Sequence, residues 1–454
     1  MSLAEGINMR PRTLSLLLFL LLAAPAWPQS AAPPEESKKP AAESRYANMP
    51  VEAVPYRRFS KAYYDWFIRK DTVEYFGAAQ DRPDGDVNKL SEIAIGFLGP
   101  LENNPESIFG IPMLHGAQLA IEEANARGGY QGKPYALKVY NDSALWGASS
   151  TVLPSMLFKD NVWAVLGSID GQSTHIMIRV SLKLEVPILS PGVTDRTVSE
   201  TRIQWIMCSF PDDRVQSYAL ANYIFKQLKL KRIGVLRTQT RYARIGVGVF
   251  NDMARRLQRQ PVLEVKFERG DQDFSKQLRM LQDAKVEGLV IWGEWPEAAL
   301  ILKQMRALGM KQPAFSSSRT AYPQLLEIAG PAAEGLVTAC AMDPARQEPN
   351  WLAFRERFRR RFNEDPDPYA SYAYDGMNML IAAIAKTGLN RGRIMQALRD
   401  YQQKTYDGAA GRVLFDYTLK NISPVTLSRV EGGRFVYWQA PSSESEEPVV
   451  AEQR

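Results

Sequence analysis

The chain has little of the chemistry that marks most enzymes. Its 454 residues include only two cysteines and two histidines, so neither a disulfide framework nor a histidine-rich metal centre can organise it. No Gly-x-Ser-x-Gly elbow and no Walker loop is present. The nearest approach to a dinucleotide loop, Gly246-Val-Gly248, lacks a third glycine and falls inside a predicted helix, which excludes it. Charge of one sign is also missing. The 56 basic and 50 acidic side chains leave a net +6 with no concentrated basic footprint, so nucleic acid is not an expected partner. Beyond the N-terminus no stretch of about eighteen uncharged apolar residues could span a membrane. No metal and no cofactor are expected.

What is present begins with an export-type leader. Arg10 and Arg12 precede the apolar run Leu14 to Ala24, and Ala24-Pro25-Ala26 is a small-x-small cleavage candidate. Residues 1–26 therefore read as a cleaved signal peptide, and the mature protein as periplasmic. No cysteine lies near the cleavage region to carry a lipid anchor. Residues 27–45, rich in Pro, Ala, Glu and Lys, read as a disordered linker. Residues 46–91 carry Tyr56, Phe59, Tyr63, Tyr64, Trp66, Phe67, Tyr75 and Phe76. That much aromatic surface is expected to pack on the main body rather than to form a partner-docking arm. Residues 441–454 read as a disordered acidic tail.

From Glu92 onward strands alternate with helices. Apolar runs at Ile93–Leu98, Tyr135–Tyr140, Val162–Leu166 and Pro187–Leu189 are separated by helical patterns, the first ending at Gly128-Gly129. The alternation restarts after Cys208, with strands expected at Arg232–Leu236, Val262–Phe267, Leu289–Trp292, near Phe315 and at Gly335–Cys340. Helical patterns follow at Trp351–Phe362, Tyr372–Ala385 and Ile394–Tyr401, then late strands at Val413–Asp416 and Phe435–Trp438. Alternating elements predict βαβ units and parallel sheets, and so many strands predict two α/β lobes rather than one.

The stretch around which the rest is arranged is Val186 to Thr194, Val-Pro-Ile-Leu-Ser-Pro-Gly-Val-Thr. A short apolar strand runs into a small-residue turn. Gly192 permits close backbone approach, and Thr194 offers a hydroxyl. The carboxyl end of a strand in an open α/β sheet is where ligands usually sit, although the same residues equally suit an ordinary strand-to-loop turn. Other chemistry-bearing residues have plainer readings. His115 and His175 lie on predicted helices without partner motifs and read as structural. Asp212-Asp213 opens a helix and reads as a pair of capping carboxylates. Arg355, Arg357, Arg359, Arg360 and Arg361 surround an apolar stripe of Trp351, Phe354, Phe358 and Phe362, and read as a solvated helix face.

These residues resemble type I periplasmic solute-binding proteins of the branched-chain amino acid (Leu/Ile/Val) class that serve ABC transporters. Ile95-Gly-Phe-Leu-Gly-Pro100, Gly116-Ala-Gln-Leu-Ala-Ile-Glu-Glu-Ala-Asn125, Val165-Leu-Gly167, Val186-Pro-Ile-Leu-Ser-Pro191, Asp273-Phe-Ser275, Ala333-Glu-Gly335 and Tyr372-Ala-Tyr-Asp375 follow the family's order and spacing. The resemblance covers about Glu92 to Trp438. It implies two Rossmann-like lobes, residues 92–210 with 342–421 and residues 211–341 with 422–440, joined by three crossings that close on a small ligand. By the same resemblance Gly171, Gly192, Val193 and Thr194 supply the first lobe's contacts, with glycine at 171 where the family usually has serine. Tyr242, Glu294, Ser318 and Arg319 fall at the second lobe's positions, and Asn103 and Phe109 in the loop after the first strand. Ser318 stands where amino-acid binders carry the carboxylate for the ligand's ammonium. Either Glu294 replaces that carboxylate, or the ligand is not an α-amino acid, and Arg319 would then favour an acid. Cys208 and Cys340 fall on the inferred crossings and could pair as a disulfide.

The leading expectation is a non-enzymatic, monomeric binding protein. It would capture a small amino acid, carboxylate or amide and deliver it to an ABC-type permease. A ligand-sensing subunit and an exported α/β enzyme remain the alternatives.

Overall fold

The computed structural model describes residues 79–439, apart from positions 80, 103, 105, 143–147, 202 and 417. The leader, the linker, the named aromatic residues of 46–91, the acidic tail and Asn103 lie outside the described residues.

Two sheets organise the protein. The first contains β1 (Ile93–Gly99), β2 (Tyr135–Asn141), β3 (Val165–Gly167), β4 (Ile188–Ser190) and β5 (Ile206–Cys208), all parallel, in the order β2-β1-β3-β4-β5. Every residue of β1 is buried, because helices cover both faces of a parallel sheet. That is why it reads as an unbroken apolar run. The crossover helices are α1 (Ser107–Ala126), α2 (Ala148–Phe158), α3 (Gly171–Leu184) and the short α4 (Arg196–Glu200).

The second sheet follows α5 (Asp213–Asn222). Its parallel part is β6 (Ile233–Thr238), β7 (Leu263–Phe267), β8 (Gly288–Trp292), β9 (Ala314–Ser316) and β10 (Val337–Cys340), connected by α6 (Arg241–Arg256), α7 (Ser275–Asp283), α8 (Trp295–Ala307) and α9 (Pro323–Ala329). The chain then returns to the first lobe as α10 (Pro349–Phe362), α11 (Pro368–Thr387) and α12 (Arg391–Arg399), with α11 laid along α1. Gly116 permits that approach, since a Cβ there would collide with the Ala370 carbonyl.

Three predicted details differ. The strand expected at 413–416 is instead β12 (Gly411–Val413), paired with β11 (Tyr406–Gly408) in a separate hairpin. Ile206–Cys208 forms a strand where none was predicted. So does β13 (Thr426–Glu431), which pairs antiparallel with β10 and with β14 (Arg434–Gln439). Gly432 and Gly433, both at positive φ (58° and 76°), make its two-residue turn.

The chain passes between the two sheets after β5, after β10 and before β13. The first and third passages run side by side. Cys208 N–H donates to Leu419 O at 2.8 Å, and Asn421 N–H donates to Cys208 O at 3.0 Å. The cysteine pairing is corrected: both are buried free thiols. Cys208 packs in the first lobe with Leu98, Val165 and Ile206. Cys340 lies in the second sheet, its Sγ 3.4 Å from Ser428 Oγ. Burial pushes each thiol up to about 11.

Candidate ligand-binding site

The turn after β4 is built by its own hydroxyl. Ser190 Oγ donates to Ser168 O at 2.6 Å and accepts the Val193 N–H at 3.2 Å. Val193 O accepts from Lys420 Nζ at 2.8 Å, and the Val193 side chain is buried in the first lobe. Val193 is therefore occupied with holding the turn, and it leaves Thr194 at the cleft. Thr194 O accepts the Asp213 N–H at 3.0 Å, tying the turn to the start of α5.

Gly171 opens α3, capped by Asp170 through a 2.7 Å bond from Ser173 N–H. Its departure from serine has a steric cause: a Cβ would lie 2.5 Å from Asp195 Oδ2. Asp195 in turn reaches the second lobe, where Arg241 Nε donates to it at 2.8 Å. Gly171, Thr194, Tyr242 and Arg319 thus line one narrow cavity with Ile169, Asp170, Asp195 and Arg241. It is closed down to about the space of one water molecule.

Arg319 occupies the middle of the cleft. It sits in a short turn (Ser318–Thr320) after β9 and is 2% exposed. Its guanidinium lies 4.0 Å from the Tyr242 ring centroid and 5.2 Å from that of Phe109. Phe109 stands in the first turn of α1 and packs on Tyr369 and Tyr322 at 5.0 and 5.5 Å. Tyr242 OH bonds Ser317 Oγ at 2.6 Å. Glu294 precedes α8, and its Oε1 accepts from Arg319 Nη1 at 3.2 Å and Arg269 Nη2 at 2.8 Å. Glu106, from the first lobe, completes the cluster: its Oε1 accepts from the same two nitrogens at 3.1 Å each. Burial works against the charge on Arg319, yet Glu106, Tyr369, Tyr242 and Glu294 hold it firmly protonated. Burial likewise opposes ionisation of Glu106, and Arg319 and Arg269 outweigh it, so this carboxyl stays below its usual range.

Ser318 turns away from the narrow cavity. Its N–H donates to Gln216 Oε1 at 3.1 Å, and it lines a larger, mostly apolar cavity with Phe210, Tyr322, Tyr369, Phe435 and Tyr437. Gly192 is buried under Ile169, whose Cγ2 would lie 2.4 Å from a Cβ there. The capping reading of Asp212-Asp213 holds for one residue only. Asp212 caps α5 through Arg214 N–H at 2.9 Å. The Asp213 carboxyl is fully buried beside Thr194. Burial, with Asp212 and Asp195 nearby, pushes it well above the carboxylate range. Both histidines are engaged structurally: His115 stacks on Phe362 at 4.3 Å, and His175 Nε2 bonds Thr197 Oγ1 at 2.8 Å. Glu106, Arg269, Asp195 and Arg241 escaped sequence reasoning. Their partners are distant in the chain, and no local pattern marks them. Among the described residues no cluster of His, Cys, Asp and Glu could hold a metal ion, and no helix is long and apolar enough to cross a membrane.

Two α/β lobes on three crossings, with polar side chains converging from both across an interlobe cleft, define a two-lobed solute-binding architecture. The family model for periplasmic binding proteins matches residues 92–434, and the chain belongs to that family. It is 29% identical over 359 residues to the Leu/Ile/Val-binding protein homolog 2 of Brucella abortus, covering 77% of this chain and 94% of that one. The crystal structure of a leucine-binding protein from Thermotoga maritima superimposes with a TM-score of 0.69 at 25% identity, covering 76% of this chain and 97% of that one. A solute-binding protein of an R. palustris ABC transporter, solved with benzoate, gives 0.69 at 14% identity, covering 77% and 97%. The type I periplasmic fold and the kinship with Leu/Ile/Val-binding proteins expected from the residues are both found.

Proposed function

We propose that this protein captures a small polar solute between its lobes, outside the cytoplasm, and presents the closed form to an ABC-type importer. The observation that carries the reading is the convergence of Gly171 and Thr194 with Tyr242 and Arg319 on one cavity between the two lobes. The N-terminus of α3 and the Thr194 hydroxyl suit a partial negative charge on the solute. Closing the lobes desolvates those contacts and creates a surface only the liganded form presents. An enzymatic reading fits less well. Glu294, its best acid–base candidate, has one oxygen shared by two guanidiniums.

The test is a thermal-shift screen of the mature protein against amino acids, carboxylates, amides, urea and small alcohols. A solute that binds only the folded state adds about 2.7 kcal/mol of stability at a hundredfold excess over its Kd. A rise in Tm with one chemical class, abolished by Tyr242→Ala, supports capture. A flat response across the panel refutes it.

A further inference from the structure

We propose that Glu106 is a built-in occupant of the ligand site, and that the site takes a solute carboxylate which displaces the Glu106 carboxylate from Arg319 and Arg269. The inference rests on the solute-capture reading and narrows it to a ligand class.

Glu106 stands at the N-cap position of α1, yet its side chain makes no cap bond. Asn104 Oδ1 accepts the Glu106 N–H at 2.9 Å and holds the backbone there. The carboxylate instead crosses to the second lobe, and one oxygen takes both guanidiniums at 3.1 Å. Its other oxygen, Glu294 Oε2 and Arg319 Nε are all buried without a hydrogen-bond partner. Buried charged groups left half-satisfied cost free energy. The cluster is therefore neutral in sum but poorly bonded: two guanidiniums face two carboxylates that use one oxygen each.

A guanidinium pairs best with a carboxylate through two parallel N–H···O bonds. Glu106 reaches Arg319 from the first lobe with a single oxygen. An untethered carboxylate entering the cleft is free to take the two-oxygen geometry, Nε included. The exchange is one anion for another, so the cluster stays balanced. A neutral amide in the same place would leave Arg319 and Arg269 with Glu294 as their remaining ion-pair partner. The released Glu106 carboxylate stays beside the favourable N-terminal end of α1. Phe109, packed under the guanidinium with Tyr322 and Tyr369 behind it, offers an apolar wall for the body of the solute.

The test compares 4-methylpentanoate with its neutral isostere 4-methylpentanamide by calorimetry, on the wild type and on Glu106→Gln. Removing the competing charge is expected to tighten the acid at least tenfold and to leave the amide within twofold. Glu106→Asp, which keeps the charge but shortens the arm, is expected to tighten the acid as well, and it serves should the glutamine variant fold poorly. Arg319→Gln is expected to abolish binding of the acid. Equal affinity of the acid for wild type and both Glu106 variants overturns the inference, as does a failure of the acid to bind the Glu106 variants. Capture of the amide or of another uncharged solute in those circumstances would leave the solute-binding reading intact.

Discussion

Replacing Asp367 by asparagine is expected to stabilise the protein at pH 8 and to leave its stability unchanged near pH 4. Asp367 caps α11, where its Oδ1 accepts the Ala370 N–H at 2.8 Å. Its Oδ2 accepts from Tyr322 OH of the second lobe at 3.1 Å. Burial, only partly offset by those bonds, pushes the carboxyl from an ordinary 3.8 up to about 7. In the unfolded chain the proton leaves near pH 4, whereas the folded protein keeps it to about pH 7. Between those values folding takes up a proton, so stability falls as pH rises. The three-unit gap is worth about 4 kcal/mol, absent below pH 4 and complete above pH 7. Asparagine cannot ionise, is itself a favoured N-cap, and can donate to the tyrosine hydroxyl. Asp375, also raised to about 7, is common to both proteins and cancels in the difference. Urea unfolding of wild type and variant at pH 4.5, 6 and 8 measures the effect. A difference between the two proteins that does not grow with pH would refute the reasoning.

Two further substitutions probe the surroundings of Asp195, which joins the lobes through Arg241. Gly171→Ser places its Cβ against Asp195, 2.5 Å from Oδ2, and is expected to cost about 1–3 kcal/mol by overpacking, read as a lower Tm. Arg241→Gln removes the partner of the buried Asp195 carboxylate; chemical denaturation should show a loss of about 1–3 kcal/mol, and small-angle scattering a wider unliganded form.

Much of the fold was legible because interior strands of a parallel sheet lie between helix layers and are mostly apolar. Ile93–Gly99 is buried along its whole length and stands out as a continuous apolar run, as does the Ile233–Leu236 part of β6. The miss at Ile206–Cys208 is three residues long, too short for periodicity to register. Thr426–Glu431 was missed although Gly432-Gly433 marks its turn; its mixed polar composition concealed an internal sheet position where Ser428 is fully buried. Of the candidate site, Thr194, Gly171, Tyr242, Arg319, Glu294 and Phe109 were legible only through their place in a recurring family pattern, and the structure groups them at the interlobe cleft. Val193 and Ser318 were named too, but the structure turns them to other tasks.

By itself the sequence determined the alternation of strands and helices, the division into two α/β lobes and the turn at residues 190–194. Each is a matter of local periodicity, of glycine and proline placement, and of the burial that parallel sheets demand. Only the tertiary structure decided which charges meet. Glu106 and Arg269 lie 163 positions apart, and Glu106 and Arg319 lie 213 apart. Ion pairing carries no local signature, because its energy depends on distance and burial in space rather than on spacing along the chain. The chain order placed an arginine at the mouth of β9. The packing of two lobes made it the centre of a cleft already held by a carboxylate of the protein's own.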